Sequence, residues 1–171
     1  MGSQGSSCVT CLLPPRTHCS VLISDLIQEQ NLMPHLEAKD RSQAYQRMLE
    51  HAVGKGLLPK ELLPSAQKAL QAREDKMTTA MGGGFAIPHA TIPKLPNLIT
   101  LFARCPAGLD CAAMDGKPVK LFFLILVPGD QAQVHLQTLA AVAKFFNRRG
   151  VKTKILEAKG SEDILAIFRN T

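Results

Sequence analysis

From Ser20 onward, stretches with apolar side chains at helical spacing alternate with shorter stretches that are apolar without a break. Leu22, Ile23, Leu26 and Ile27 share one helical face. Leu32 to Leu36 is interrupted by Pro34, which admits only an edge strand or a turn. Asp40 followed by Gln43 has the form of a capping box. The helix it opens would bury Ala44, Met48, Leu49 and Ala52 and end at Gly54-Lys55-Gly56. A third helix is expected from about Lys60 to Glu74, with Pro64 in its first turn. Leu98 to Arg104 reads as a strand. Val119 to Val127 reads as a strand covered on both faces, since it contains the longest apolar run, Leu121 to Val127. Asp130 and Gln133 repeat the capping-box pattern before a stripe of Leu136, Leu139, Ala140, Ala143 and Phe146. Arg148 and Arg149 oppose that helix's dipole, and Gly150 stops it. Ser161 caps a last helix running through Phe168. This order predicts an α/β (α+β) fold, a mixed β-sheet flanked by helices. It forms a single domain over residues 20–171, after a flexible tail over residues 1–19.

Composition narrows the function classes. The chain has 171 residues, 46% hydrophobic and 20% charged, which suits one ordinary globular domain. Its longest apolar run falls far short of the roughly 20 residues of a spanning helix, so no membrane insertion is expected. With no Trp and a single Tyr, Tyr45, there is no aromatic platform for stacked bases. The net charge of +6 owes most to Lys144, Arg148, Arg149, Lys152, Lys154 and Lys159, which face only Glu157 in that segment. Such a cluster attracts nucleic acid or an acidic partner. Without a recognition motif it reads as a cationic helix end followed by a solvated edge, and no nucleic acid is expected. The five cysteines, Cys8, Cys11, Cys19, Cys105 and Cys111, are an odd number without a secretion signal, which implies reduced thiols and a cytoplasmic location. Cys8, Cys11, His18 and Cys19 have the ligand types of a zinc site, but the segment is short and rich in Ser, Gly and Pro. A flexible tail is expected there, with no metal. The opening Met1-Gly2 to Ser6 fits a loose myristoylation pattern too unspecific to use.

The candidate chemistry lies in the second half. His18, His35 and His51 lack supporting neighbours. His89 follows Gly82-Gly83-Gly84, the run Phe85-Ala86-Ile87 and Pro88. Glycines let backbone N–H groups approach a ligand oxygen, and the proline restricts the backbone before the histidine. Two readings stay open on this pattern: a nucleophilic imidazole, neutral near pH 7, or a turn in which His89 only hydrogen-bonds a carbonyl. His135 is at the end of the first turn of the helix after the buried strand, where α/β proteins collect anions. Arg73 closes the third helix, either as a phosphate or carboxylate donor or as a solvated helix end.

Together these segments resemble a known family. Arg73-Glu74-x4-Thr79-x2-Gly82-x-Gly84-x-Ala86-Ile87-Pro88-His89 is similar to the active-site signature of the enzyme IIA domains of the bacterial phosphoenolpyruvate-dependent phosphotransferase system. The branch is the fructose/mannitol and nitrogen-regulatory one. Asp115-Gly116-x-Pro118-Val119, the strand ending at Pro128, and His135-Leu136-x2-Leu139-Ala140 follow in the same order. The resemblance implies a phosphoryl group carried on His89, with His135 supporting the ring and Arg73 near the phosphate. Thr79, Gly82 and Gly84 would form the phosphate loop. It implies no cofactor or metal, a histidine phosphocarrier protein as donor, and a separate IIB protein or a regulatory target downstream, since no IIB or membrane segment is fused. Thr78-Thr79-Ala80, Gly83 and Thr91 depart from the family pattern. A regulatory protein gated by phosphorylation without sugar transport is the alternative.

Overall fold

A computed structural model describes residues 21–170. The tail, including Cys8, Cys11, His18, Cys19 and the opening residues, lies outside the described residues. The elements are α1 (Ile23–Leu26), β1 (Leu32–Met33), α2 (Arg41–Gly54), α3 (Leu63–Lys76), β2 (Ala80–Gly82), β3 (Phe85–Ala86), β4 (His89–Ile92), β5 (Ile99–Leu109), β6 (Val119–Pro128), α4 (Ala132–Phe146), α5 (Val151–Glu157) and α6 (Ser161–Asn170). One mixed sheet has the order β1-β5-β6-β3-β2, with β4 also pairing β6 beyond β3. β6 runs antiparallel to β5 and parallel to β3 and β4, so it lies inside the sheet.

Its apolar run is sorted by the strand's period of two. Phe122, Leu124 and Leu126 pack with α2 and α3 on one face. Leu121, Phe123, Ile125 and Val127 pack on the other with α1, α4, α5 and α6. That second face is aromatic: the Phe146 ring stacks on Phe85 at 4.0 Å and meets Phe102, Phe123, Phe145 and Phe168. The helix-on-both-faces architecture is the one expected for a continuous apolar strand.

Several local expectations are corrected. The first helix is a single turn, with Leu22 exposed and Ile27 buried in extended backbone. At α2, Asp40 accepts from the Gln43 N–H, but the Gln43 side chain returns its bond to Lys39 instead of Asp40. The second capping box does not form. A turn bond from Gln131 N to the Pro128 carbonyl delays the helix, which starts at Ala132 with Gln131 as an N-cap lacking a side-chain bond. The α4 stripe is also rotated: Thr138, Val142, Phe145 and Phe146 are buried, whereas Leu136 and Ala140 are exposed. Gln133, Gln137 and Lys144 share the exposed face with Leu136 and Ala140, and the two phenylalanines enter the aromatic cluster on the other. Finally, the solvated edge expected after Gly150 is α5, whose Val151 and Ile155 are buried.

Candidate active site

Pro88 separates β3 from β4 without losing register, because its carbonyl accepts from the Ile125 N–H at 2.9 Å. His89 therefore opens β4 opposite Ile125, at a fixed place on the sheet. Its Nδ1 is 2.7 Å from the Ile87 carbonyl. A carbonyl only accepts, so Nδ1 carries the proton and Nε2 keeps its lone pair. Arg73, in the last turn of α3, donates Nε–H to that lone pair at 3.1 Å, and its Nη1 donates to the Met77 carbonyl at 2.9 Å.

His135, the fourth residue of α4, brings its ring centroid to 5.3 Å from that of His89, tilted by 59°. Its Nε2 is buried and has no hydrogen-bond partner among the described residues. Arg73, Lys76, Thr91 and the two histidines line an open cleft of about 320 Å³. Burial lowers the pKa of His89 from the ordinary 6.5; the bond to Ile87 opposes this and the Arg73 charge adds to it. The His135 pKa is lowered by the same two causes, burial first and Arg73 second. Both rings are therefore neutral at pH 7.

The structure thus brings Arg73, His89 and His135 together, and it places the glycines elsewhere. Gly82, Gly83 and Gly84 all have positive φ and carry the chain from the end of β2 through the turn into β3. The Gly83 N–H donates to Asp115 Oδ2 at 2.7 Å, and the Gly84 carbonyl accepts from Lys120 and Leu121. His89 stands four positions further along β6 than Phe85, roughly 13 Å at about 3.3 Å per residue. Gly82 and Gly84 therefore flank a turn that Asp115 clamps at Gly83, at a distance from the histidines. Lys152, from the basic segment, lies over the same turn.

Thr79 is buried and donates its hydroxyl to Glu74 Oε2 at 2.6 Å, so it meets the site through its backbone. Glu74 is a buried carboxylate beside Arg73 on α3, and the motif assigns it no role. In the sequence it stands in the charged run Arg73-Glu74-Asp75-Lys76 and reads as solvated; its burial follows from Arg41, Tyr45 and Thr79, which meet it in space.

Fold and site define a class of α/β domain that presents a neutral, arginine-capped histidine at a strand start, beside a second histidine. The family model described as phosphoenolpyruvate-dependent sugar phosphotransferase system, EIIA 2, matches residues 25–171, and the chain belongs to this family. A nitrogen regulatory protein of Bradyrhizobium diazoefficiens is 33% identical over 85% of this chain and 94% of its own length. The fructose-specific EIIA component of Haloferax volcanii is 41% identical over 60% of this chain and 68% of its own length. Among solved structures, IIA-Ntr of Neisseria meningitidis superposes with a TM-score of 0.77 at 24% identity, over 85% of this chain and 98% of that one. The Escherichia coli IIA mannitol domain, in complex with phosphorylated IIB, shares the fold at a TM-score of 0.71 and 16% identity, over 85% and 98%. Family membership makes the chain a phosphoryl-carrier or regulatory component of the phosphotransferase type. Among the described residues no helix is long and apolar enough to cross a membrane.

Proposed function

We propose that His89 accepts a phosphoryl group on Nε2 from a histidine phosphocarrier protein and passes it to a separate IIB protein or holds it as a regulatory signal in the cytoplasm. The observation that carries this reading is the pair of bonds on His89: Ile87 holds the Nδ1 proton, and the Arg73 guanidinium marks the remaining lone pair. In the transfer, the donor's N–P bond breaks as the P–Nε2 bond forms in line, and the donor ring leaves with its electron pair. His89 keeps its Nδ1 proton and takes on the ring's positive charge, while the donor ring, protonated on its other nitrogen, leaves neutral, so no net proton moves. Arg73 must release Nε2 for attack, and its N–H groups then serve the phosphoryl oxygens. His135 Nε2, buried without a partner among the described residues, supports a role as hydrogen-bond donor to the same group; the oxygen would relieve a desolvation cost of about 1–3 kcal/mol.

The test is incubation with phosphoenolpyruvate, the first enzyme of the relay and the phosphocarrier protein, followed by intact-mass analysis. A single acid-labile phosphate adduct is expected, absent from His89→Ala. An adduct that persists in His89→Ala, or no adduct beside a labelled control IIA protein, overturns the assignment. The regulatory reading draws on the nitrogen regulatory relative, whose length this chain nearly spans. Pull-downs with wild type, His89→Asp and His89→Ala test it: partners that bind all three alike would remove its basis.

A further inference from the structure

The acceptor ring is held at both nitrogens by one closed circuit of bonds, and the circuit passes through Glu74. On one side, Arg73 Nε donates to His89 Nε2 at 3.1 Å. The next residue of α3 is Glu74, whose Oε1 accepts from the Thr79 backbone N–H at 3.0 Å and whose Oε2 accepts from the Thr79 hydroxyl at 2.6 Å. Thr79 then uses its carbonyl to accept from the Ile87 N–H at 3.0 Å. Ile87 in turn accepts the Nδ1 proton of His89 at 2.7 Å, which closes the circuit. We infer that Glu74 and Thr79 form a positioning pair that fixes the tautomer and ring orientation of His89 and the approach of Arg73 to it. This rests on the reading of His89 as the acceptor.

The carboxylate is built for that purpose. Its side chain is 1% exposed, and Arg41 Nη1 reaches Oε1 at 3.2 Å from the first turn of α2. Tyr45 donates its hydroxyl to Oε2 at 3.1 Å, and burial holds that phenol protonated by raising its pKa. Each carboxylate oxygen thus accepts two donors, from α2 and from the residue leading into β2. A buried ion pair contributes little net stability compared with apolar packing of the same volume, but it imposes geometry. Here the geometry imposed is the spacing between the end of α3, which carries Arg73, and the β2–β3 hairpin that leads into His89. A misplacement of about 1 Å at such a site costs up to about 100-fold in rate.

The experiment measures initial phosphorylation rates against phosphocarrier concentration for wild type, Glu74→Gln, Thr79→Val and Thr79→Ser, with 15N–1H spectra of the His89 ring. Circular dichroism and thermal melting establish which variants fold. In Glu74→Gln and Thr79→Val, kcat is expected to fall by about 10- to 100-fold while KM changes by less than about twofold. The ring spectrum should change from one Nδ1–H tautomer to a mixture. Thr79→Ser, which returns the hydroxyl, restores both readouts. Thr79→Val carries the test if Glu74→Gln does not fold. A folded variant with lower melting temperature but unchanged kcat and ring spectrum reduces Glu74 to a structural residue and overturns the inference. A wild-type protein that accepts no phosphate refutes the acceptor reading instead, and the ring spectra then still decide the role of Glu74.

Discussion

At the residue scale, one proton decides whether His89 can act. With Nδ1–H committed to the Ile87 carbonyl, only Nε2 offers electrons, and only while the ring is neutral. Burial lowers its pKa below 6.5, so the acid limb of the transfer rate should lie below that value and fall tenfold per unit beneath the His89 pKa. Rapid-mixing measurements with preformed phosphocarrier would show it; a limb centred above 6.5 would contradict the neutral resting ring. Arg73→Ala should slow transfer by an amount equivalent to about 2–4 kcal/mol, and Arg73→Lys should recover only part of it, because an ammonium lacks the planar fork. Equal rates for all three proteins would separate Arg73 from the chemistry. His89 and Arg73 could be picked from the sequence through motif and spacing. Glu74 could not, because a charged residue in a helix is normally solvated, and its four donors come from Arg41, Tyr45 and Thr79.

At the element scale, β5 and α5 are joined by a residue that no local pattern marks. Arg104 is buried in β5 and donates Nη1 to the carbonyls of Ile155 at 3.0 Å and Ala158 at 2.6 Å, and Nε to Pro34 at 2.9 Å. Its charge meets the negative end of α5, where carbonyls lack helical partners. Arg104→Met should destabilise the fold by about 2–3 kcal/mol by leaving those carbonyls unpaired; chemical denaturation reads it, and a loss below about 0.5 kcal/mol would show that solvent replaces the guanidinium. α5 explains a miss as well. Val151-Lys152-Thr153-Lys154-Ile155 alternates like an edge strand, yet Val151 and Ile155 are also one helical turn apart. The aromatic face of the sheet, which buries both, selects the helix.

At the scale of the whole molecule, the two histidines of the candidate site make stability depend on pH. Both have pKa values lowered from 6.5, so the unfolded chain binds more protons than the folded one in that range. Stability from this source is complete above about pH 6.5 and is lost as pH falls through the lowered folded values. The melting temperature should therefore drop between pH 7.5 and 5, and His89→Gln with His135→Gln should flatten that slope. An unchanged slope in the double variant would mean that the acid sensitivity arises elsewhere. The same burial thus keeps the His89 ring neutral and makes the fold acid-sensitive.

The chain by itself determined the sheet's covered strand, the Asp40 cap and the helices α2 and α3, since these follow from periodicity and bonds within a few residues. It also supplied, through its motif, the two histidines and the arginine. Tertiary structure alone decided which face α4 presents, why the glycine turn belongs to Asp115, and which donor meets Nε2 of His89. Each of those depends on partners far apart in sequence: Phe85 and Phe102 for α4, Asp115 for Gly83, and Arg73 for His89. Local patterns fix how a segment can fold, whereas a polar atom's role is set by whichever distant group arrives to share its hydrogen bond.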